Sequence, residues 1–336
     1  MLYFRRVTVR TALLTLAVTL AAAPAAAAQD PVPTPTPTTP PPPPATGTAG
    51  LEVENAIRDG RTKVELAGDT VRVRGTVKPF VAGQTMRVRF SRGGKAVKTK
   101  RVRLKPGANG SGTFLLGYKA GVPGRYAIVA THKASPQLEA LRSRAAHVRV
   151  LSPSIAAGQS GAVVRLLQRG LKRLHYSVPA SGRYDAATQR AVMAWRKIRG
   201  VARNYSASSV VLRGVLAGKG RFTVRHPKEG HHVEADLSRQ VLALIDGKKV
   251  RAIYHTSSGA PGTPTVLGRY KIYRKDLGTN GLGMVDASYF IGGYAIHGYV
   301  SVPAFNASHG CLRVPIPNAR AIYDWLRIGD VVWVEP

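Results

Sequence analysis

The chain has 336 residues, 44% of them hydrophobic, and carries 50 Lys and Arg against 17 Asp and Glu, a formal net charge of +33. That length predicts several folded units in series rather than one small core. A single cysteine excludes an internal disulfide and any zinc site built from cysteine pairs, and the positive excess points to polyanionic surroundings.

Residues 1–28 begin with a basic segment containing Arg5, Arg6 and Arg10, continue through an apolar run from Thr11 to Ala23, and end in Ala26, Ala27 and Ala28. This order predicts a secretory signal peptide cleaved after Ala28. The alanine-rich run, interrupted by Pro24, is a poor membrane span, so contact with a membrane is expected only through an uncleaved signal. Residues 29–50 hold nine prolines among threonine, alanine and glycine. Such a composition cannot bury a core and favours extended backbone, so it reads as a proline-rich linker.

From 51 to 152 the hydrophobic period is two. Val71-Arg72-Val73-Arg74, Met86 to Phe90 and Arg101 to Leu104 alternate apolar with basic residues, which puts the apolar set on one face of each strand. Further strands are predicted at 112–118, 124–131 and 145–150, punctuated by Gly-Gly, Pro-Gly and Asn-Gly. About seven short strands in a hundred residues predict an immunoglobulin-like β-sandwich.

Residues 153–219 switch to helical spacing. Val163, Leu167, Leu171 and Leu174 share one face, Val192, Trp195 and Ile198 another, and Asp185 is placed to cap a helix start. The run from Gly161 to Gln168, then Leu171, Leu174, Gly182 to Thr188, and Ala191 to Trp195, resembles a peptidoglycan-binding module of three short helices. A helical spacer with no ligand is the competing reading.

Residues 221–336 return to strands. His232 to Ile245 leads into Asp246-Gly247, a hairpin signal, and Val250 to Ser257 runs back. Gly262-Thr263-Pro264-Thr265 precedes a strand at Gly268 to Ile272, Ile322, Trp325 and Leu326 suggest a short helix, and Ile328 to Val334 closes the chain. Between them lies the densest chemistry of the sequence, Ile296 to Arg313, where the sole cysteine, Cys311, sits with His297, Gly298, Ser308, His309, Gly310 and Arg313. A thiol needs a neighbouring base or positive dipole to become a nucleophile near neutral pH, and His297 and His309 are the available bases. Gly310 allows close backbone approach, so the N–H groups of Gly310 and Cys311 are candidates for an oxyanion site. A buried, inert cysteine fits this polar setting poorly, and a zinc site from His297, His309 and Cys311 lacks a fourth ligand or a recognisable spacing.

His297-Gly298 followed by Ser308-His309-Gly310-Cys311, Leu312 and Arg313 resembles the signature of the L,D-transpeptidases, and with the flanking strands the resemblance covers about 115 residues. It implies a β-rich catalytic domain at 221–336, within a mainly β, multidomain chain. It also implies a cell-wall enzyme that cleaves the terminal D-Ala from a tetrapeptide stem through a Cys311 thioester. The acyl group would pass to an amine of another stem as a 3→3 cross-link, on the outer side of the membrane. His297 would be the general base, oriented by the Gly298 carbonyl, with Ser308 and His309 shaping the site. Arg313 would hold a substrate carboxylate, and Tyr294 and Tyr299 would line the cleft. No metal or organic cofactor is implied. Water as acceptor, giving a carboxypeptidase, or a non-catalytic wall-binding protein, are the competing functions.

The charge is unevenly spread: 21 basic against 6 acidic residues in 51–150, 12 against 1 in 151–220, and 14 against 9 in 221–336. For an exported protein the expected partners are therefore peptidoglycan stem peptides and anionic wall polymers. Nucleic acid is not expected, since no motif for it is present and the arginines alternate along strands without interleaved aromatics.

Overall fold

The computed structural model describes residues 41–336; the predicted signal at 1–28 and residues 29–40 of the predicted linker lie outside the described residues. Eleven strands occupy 48–151: β1 (Thr48–Glu54), β2 (Ile57–Asp59), β3 (Thr62–Leu66), β4 (Thr70–Lys78), β5 (Thr85–Arg92), β6 (Lys95–Arg103), β7 (Lys105–Pro106), β8 (Gly112–Lys119), β9 (Gly124–His132), β10 (Leu141–Arg142) and β11 (Ala146–Leu151). The first begins inside the stretch read as linker. One sheet runs β1-β4-β8-β7, and the other β2-β3-β11-β9-β5-β6 with β10 beside β9. The two are layers of a sandwich, because Val73 and Leu116 of the first share a core with Val88 and Ile128 of the second. Strand β4 shows the cause: its burial alternates strictly, valines inward and arginines outward. All but one of the residues of β6 are exposed, so its lysines and arginines form an open basic edge.

Three helices follow: α1 (Ala162–Arg173), α2 (Ala186–Ile198) and α3 (Ser209–Leu216). Asp185 caps α2 by accepting from the Thr188 N–H at 2.8 Å. The helices share one core that continues into both neighbours. Val64, Leu66 and Leu151 join it from the sandwich, and Ala243, Ile245 and Ile253 from the C-terminal part. The helical module is thus packed on two sides rather than hung on linkers.

The C-terminal part holds β12 (His231–Asp236), β13 (Val241–Asp246), β14 (Lys249–His255), β15 (Gly268–Lys271), β16 (Arg274–Thr279), β17 (Val285–Ile291), β18 (Tyr294–Tyr299), β19 (Leu312–Pro315), α4 (Ile316–Trp325) and β20 (Val331–Glu335). Residues 232–245, read from the sequence as one run, divide at a turn after Asp236, where Gln240 takes φ +60°. One sheet runs β14-β13-β12-β20-β15, and the other β16-β17-β18-β19. They share a core with α4, in which Leu244 and Val332 meet Ile296, Leu312 and Ile322. In the second sheet β18 and β19 are parallel, with Ile296 opposite Leu312 and His297 opposite Arg313. Among the described residues, no helix is long and apolar enough to cross a membrane.

Candidate active site

Strand alternation sorts the signature residues. Ile296 and Leu312 point into the core beneath the sheet. Ala295, His297 and Tyr299 on β18, with Cys311 and Arg313 at and before the start of β19, take the other face. Ala295 and Cys311 pack with Met284, Ala287 and Tyr289 there. Parallel pairing thus sets the thiol and the imidazole as diagonal neighbours on one side of the sheet, although fourteen residues separate them in sequence.

His297 is buried, and its Nδ1 lies 2.9 Å from the Gly298 carbonyl. A carbonyl only accepts, so Nδ1 carries the proton and Nε2 keeps its lone pair. Burial holds the imidazole below its usual pKa; the Gly298 carbonyl opposes that shift and the Arg313 charge adds to it. The ring meets Tyr299 edge-on at 5.7 Å, and the Arg313 guanidinium lies over the Tyr299 ring at 4.2 Å. Gly298 is needed for close approach: a Cβ there would sit 2.7 Å from Ala319 Cβ on α4. The helix therefore fixes the backbone carbonyl that fixes the histidine.

Cys311 is partly exposed and unpaired. Its sulfur lies 3.8 Å from the Gly293 carbonyl, which it contacts as a weak S–H donor. Burial pushes the thiol pKa up, opposed by the Ala295 backbone N–H and by the Arg313 charge. With the thiol raised and the imidazole lowered, the resting pair is neutral at pH 7 rather than a thiolate and an imidazolium.

The turn before Cys311 is held by Ser308. Its buried hydroxyl donates to the Cys311 carbonyl at 2.6 Å and accepts from the Gly310 N–H at 3.1 Å. The Gly310 N–H, expected as an oxyanion donor, is therefore already engaged, and a Cys311 N–H without a hydrogen-bond partner among the described residues is the donor that remains. Gly310 adopts φ +111°, and a Cβ there would lie 2.3 Å from the Tyr294 ring. Tyr294, expected in the cleft, packs on the Gly310 backbone and, partly buried, against the core. His309 is exposed.

A second segment, 256–263, grips the signature; its Gly262-Thr263 end belongs to the turn read from the sequence, which gave no sign of this contact. Ser257 and Arg313 exchange backbone hydrogen bonds at 3.0 Å. Thr256 Oγ1 donates to the Arg313 carbonyl at 2.7 Å, Ser257 Oγ to that of Phe305 at 2.6 Å, and Thr263 Oγ1 to that of Ser308 at 2.9 Å. The segment is reached in turn from the helical module. Lys197 of α2 is buried, with Nζ 3.1 Å from the Gln240 carbonyl, 2.8 Å from the Thr256 carbonyl and 2.8 Å from His255 Nδ1. His255 Nε2 lies 3.0 Å from the Val302 carbonyl, on the loop that carries the signature.

Residues 230–334 match the family model described as the L,D-transpeptidase catalytic domain, and residues 160–202 match the putative peptidoglycan binding domain. No curated protein matches the chain. Among solved structures, an L,D-transpeptidase from Xylanimonas cellulosilytica is 32% identical over 54% of this chain and 97% of that one, with a TM-score of 0.49. An L,D-transpeptidase from Mycobacterium tuberculosis is 21% identical over 32% of this chain and 58% of that one, with a TM-score of 0.30. The catalytic domain of an Enterococcus faecium L,D-transpeptidase is 24% identical over 32% and 97%, with a TM-score of 0.27. Through residues 230–334 the chain belongs to the L,D-transpeptidases, with a putative peptidoglycan binding domain ahead of the catalytic one.

Proposed function

We propose that this is a secreted cell-wall enzyme in which Cys311 performs acyl transfer on peptidoglycan stem peptides, with His297 as its base. The observation that carries the reading is the fixed tautomer of His297, whose Nδ1 is held by Gly298 while Nε2 is left free on the face that Cys311 shares.

Because the resting pair is neutral, attack is coupled to proton transfer. As the sulfur bonds to the carbonyl carbon before the terminal D-Ala, the thiol proton moves to His297 Nε2. The Cys311 N–H stabilises the oxyanion, an effect worth about 3 kcal/mol for one well-placed donor. Collapse breaks the C–N bond, and His297 returns the proton to the departing amine. The thioester is then attacked by an amine of a second stem, which gives a proton to His297. The C–S bond breaks, His297 passes that proton to the departing sulfur, and a 3→3 cross-link is formed. Arg313, stacked on Tyr299, holds a substrate carboxylate, and Ser308 keeps the turn in shape. The open basic edge of β6 serves attraction to anionic wall polymers.

The test is mass spectrometry of the protein and of a Cys311→Ala variant after incubation with disaccharide-tetrapeptide. Loss of D-Ala with a new dimer, absent from the variant, is expected. Unchanged substrate in both samples would overturn the reading. The acylation rate should fall on the acid side with a pKa below 6.5, since burial lowers that of His297.

A further inference from the structure

Between the helical module and the catalytic domain lies a cavity of about 370 Å³, walled by Gln189 and Arg190 of α2, Tyr205, His255, Tyr299 and Pro317. Tyr299 belongs to both places: its ring meets His297 and Arg313 on the active-site face, and it also walls the cavity. The cavity is therefore adjacent to the proposed chemistry.

Arg190 is the feature of this space without a structural use. Its Nε is buried with no hydrogen-bond partner, and among the described residues it forms no ion pair. Asp185, whose charge acts on Arg190 without a direct bond, has its oxygens engaged: Oδ1 takes the Thr188 N–H and hydroxyl, and Oδ2 the Ser181 hydroxyl. Other basic groups nearby do not duplicate its charge. Burial, with Lys197 second and Arg190 a smaller contributor, pushes His255 down to about 3, and burial pushes Lys197 down to about 6. A guanidinium held partly out of water without an acceptor is costly unless an anion completes it, and its planar fork suits a carboxylate. The walls are preformed, because Lys197 and Arg203 tie the module to the catalytic domain, the latter donating to the Ala304 and Ser238 carbonyls.

We propose that this cavity is a second substrate subsite, in which Arg190 takes a carboxylate of the peptidoglycan stem beyond the one held by Arg313, with Tyr205 and Tyr299 as its walls. This rests on the reading of the protein as a stem-peptide acyltransferase. It gives the helical module a direct part in presenting substrate to Cys311.

The test is calorimetric titration of the Cys311→Ala protein, which binds without turnover, with a disaccharide-tetrapeptide carrying free carboxylates and with the same molecule amidated. The free form should bind at least tenfold more tightly, and Arg190→Gln should cut that preference severalfold, leaving only the share that Arg313 supplies. Gln189→Glu is the second variant: an acid in the first turn of α2 favours the helix but competes for Arg190, so it should weaken the free form and spare the amidated one. Equal affinity of parent and both variants for the free form would overturn the proposal, as would a loss that ignores amidation. Failure of the wider reading looks different: Cys311 of the unsubstituted protein would then resist acylation by the tetrapeptide, whatever the titrations show.

Discussion

The helical module meets its two neighbours by different physics. Beyond the apolar core it shares with both, towards the sandwich it adds ion pairs at the surface. Arg165 and Arg169 reach Asp59 at 3.3 and 2.9 Å, and Arg213 pairs with Asp69, with the arginines roughly half exposed. Towards the catalytic domain it sends one buried amine, Lys197, whose Nζ lies within 3.1 Å of the Gln240 and Thr256 carbonyls and of His255 Nδ1. Exposed pairs are screened and contribute little, whereas removing a buried donor leaves its acceptors dry. The first contact tolerates change, and the second holds the segment that grips the signature.

Three perturbations break or sharpen that contrast. The largest effect is expected from Lys197→Met, which fills the space but leaves the Gln240 and Thr256 carbonyls and His255 Nδ1 without their donor. It should cost about 3 kcal/mol in denaturant unfolding and slow acylation of Cys311, since Thr256 leads into the grip on Arg313. A cost below about 1 kcal/mol would show that the two contacts do not differ.

Acidification comes next. His255 is held down to about 3 in the folded protein against an ordinary 6.5, so between those values the unfolded chain binds the extra proton and stability is lost as pH falls. From pH 6.5 to 5 that amounts to about 1.5 kcal/mol. Glu65 on β3, pushed up to about 7 mainly by burial, works in the opposite sense over the same window. The effect is therefore read as the difference in slope between the parent and His255→Gln, with the variant expected to be flatter. Equal slopes would mean that His255 already protonates in place.

The smallest effect is expected at Asp59. Burial alone would raise its pKa, but the hydrogen bonds from Arg169 and Arg165 hold it below the usual carboxylate value. Asp59→Asn should cost about 0.5 kcal/mol at low salt, and in 1 M NaCl the difference should vanish. A larger cost that salt leaves intact would make the sandwich contact as strong as the other.

Part of this was legible in the sequence because it is local. The alternation of β4, the cap at Asp185 and the cluster from His297 to Arg313 each need only neighbouring residues to be read. What escaped depends on chains that meet from afar. Nothing around Lys197 distinguishes it from any other helical lysine, and only the packing of α2 on β14 makes it a buried donor. Arg190 is hidden for the same reason. Ser257 and Thr256 look like ordinary strand-end residues until β19 pairs with them. The engagement of the Gly310 N–H by the Ser308 hydroxyl was hidden because only the folded turn brings the two together. That Tyr294 packs on the Gly310 backbone was likewise hidden, since the contact is made only when β18 and the turn meet.

The core shared by the helices and Ala243, Ile245 and Ile253 has a mechanical consequence. A binding module on a flexible tether lets its enzyme wander over a range set by tether length. Here the core is continuous with that of β13 and β14, and Lys197 crosses the seam. On the proposed function, a strand held by the helices would reach Cys311 at one offset and one angle, as in a fixed-jaw gauge.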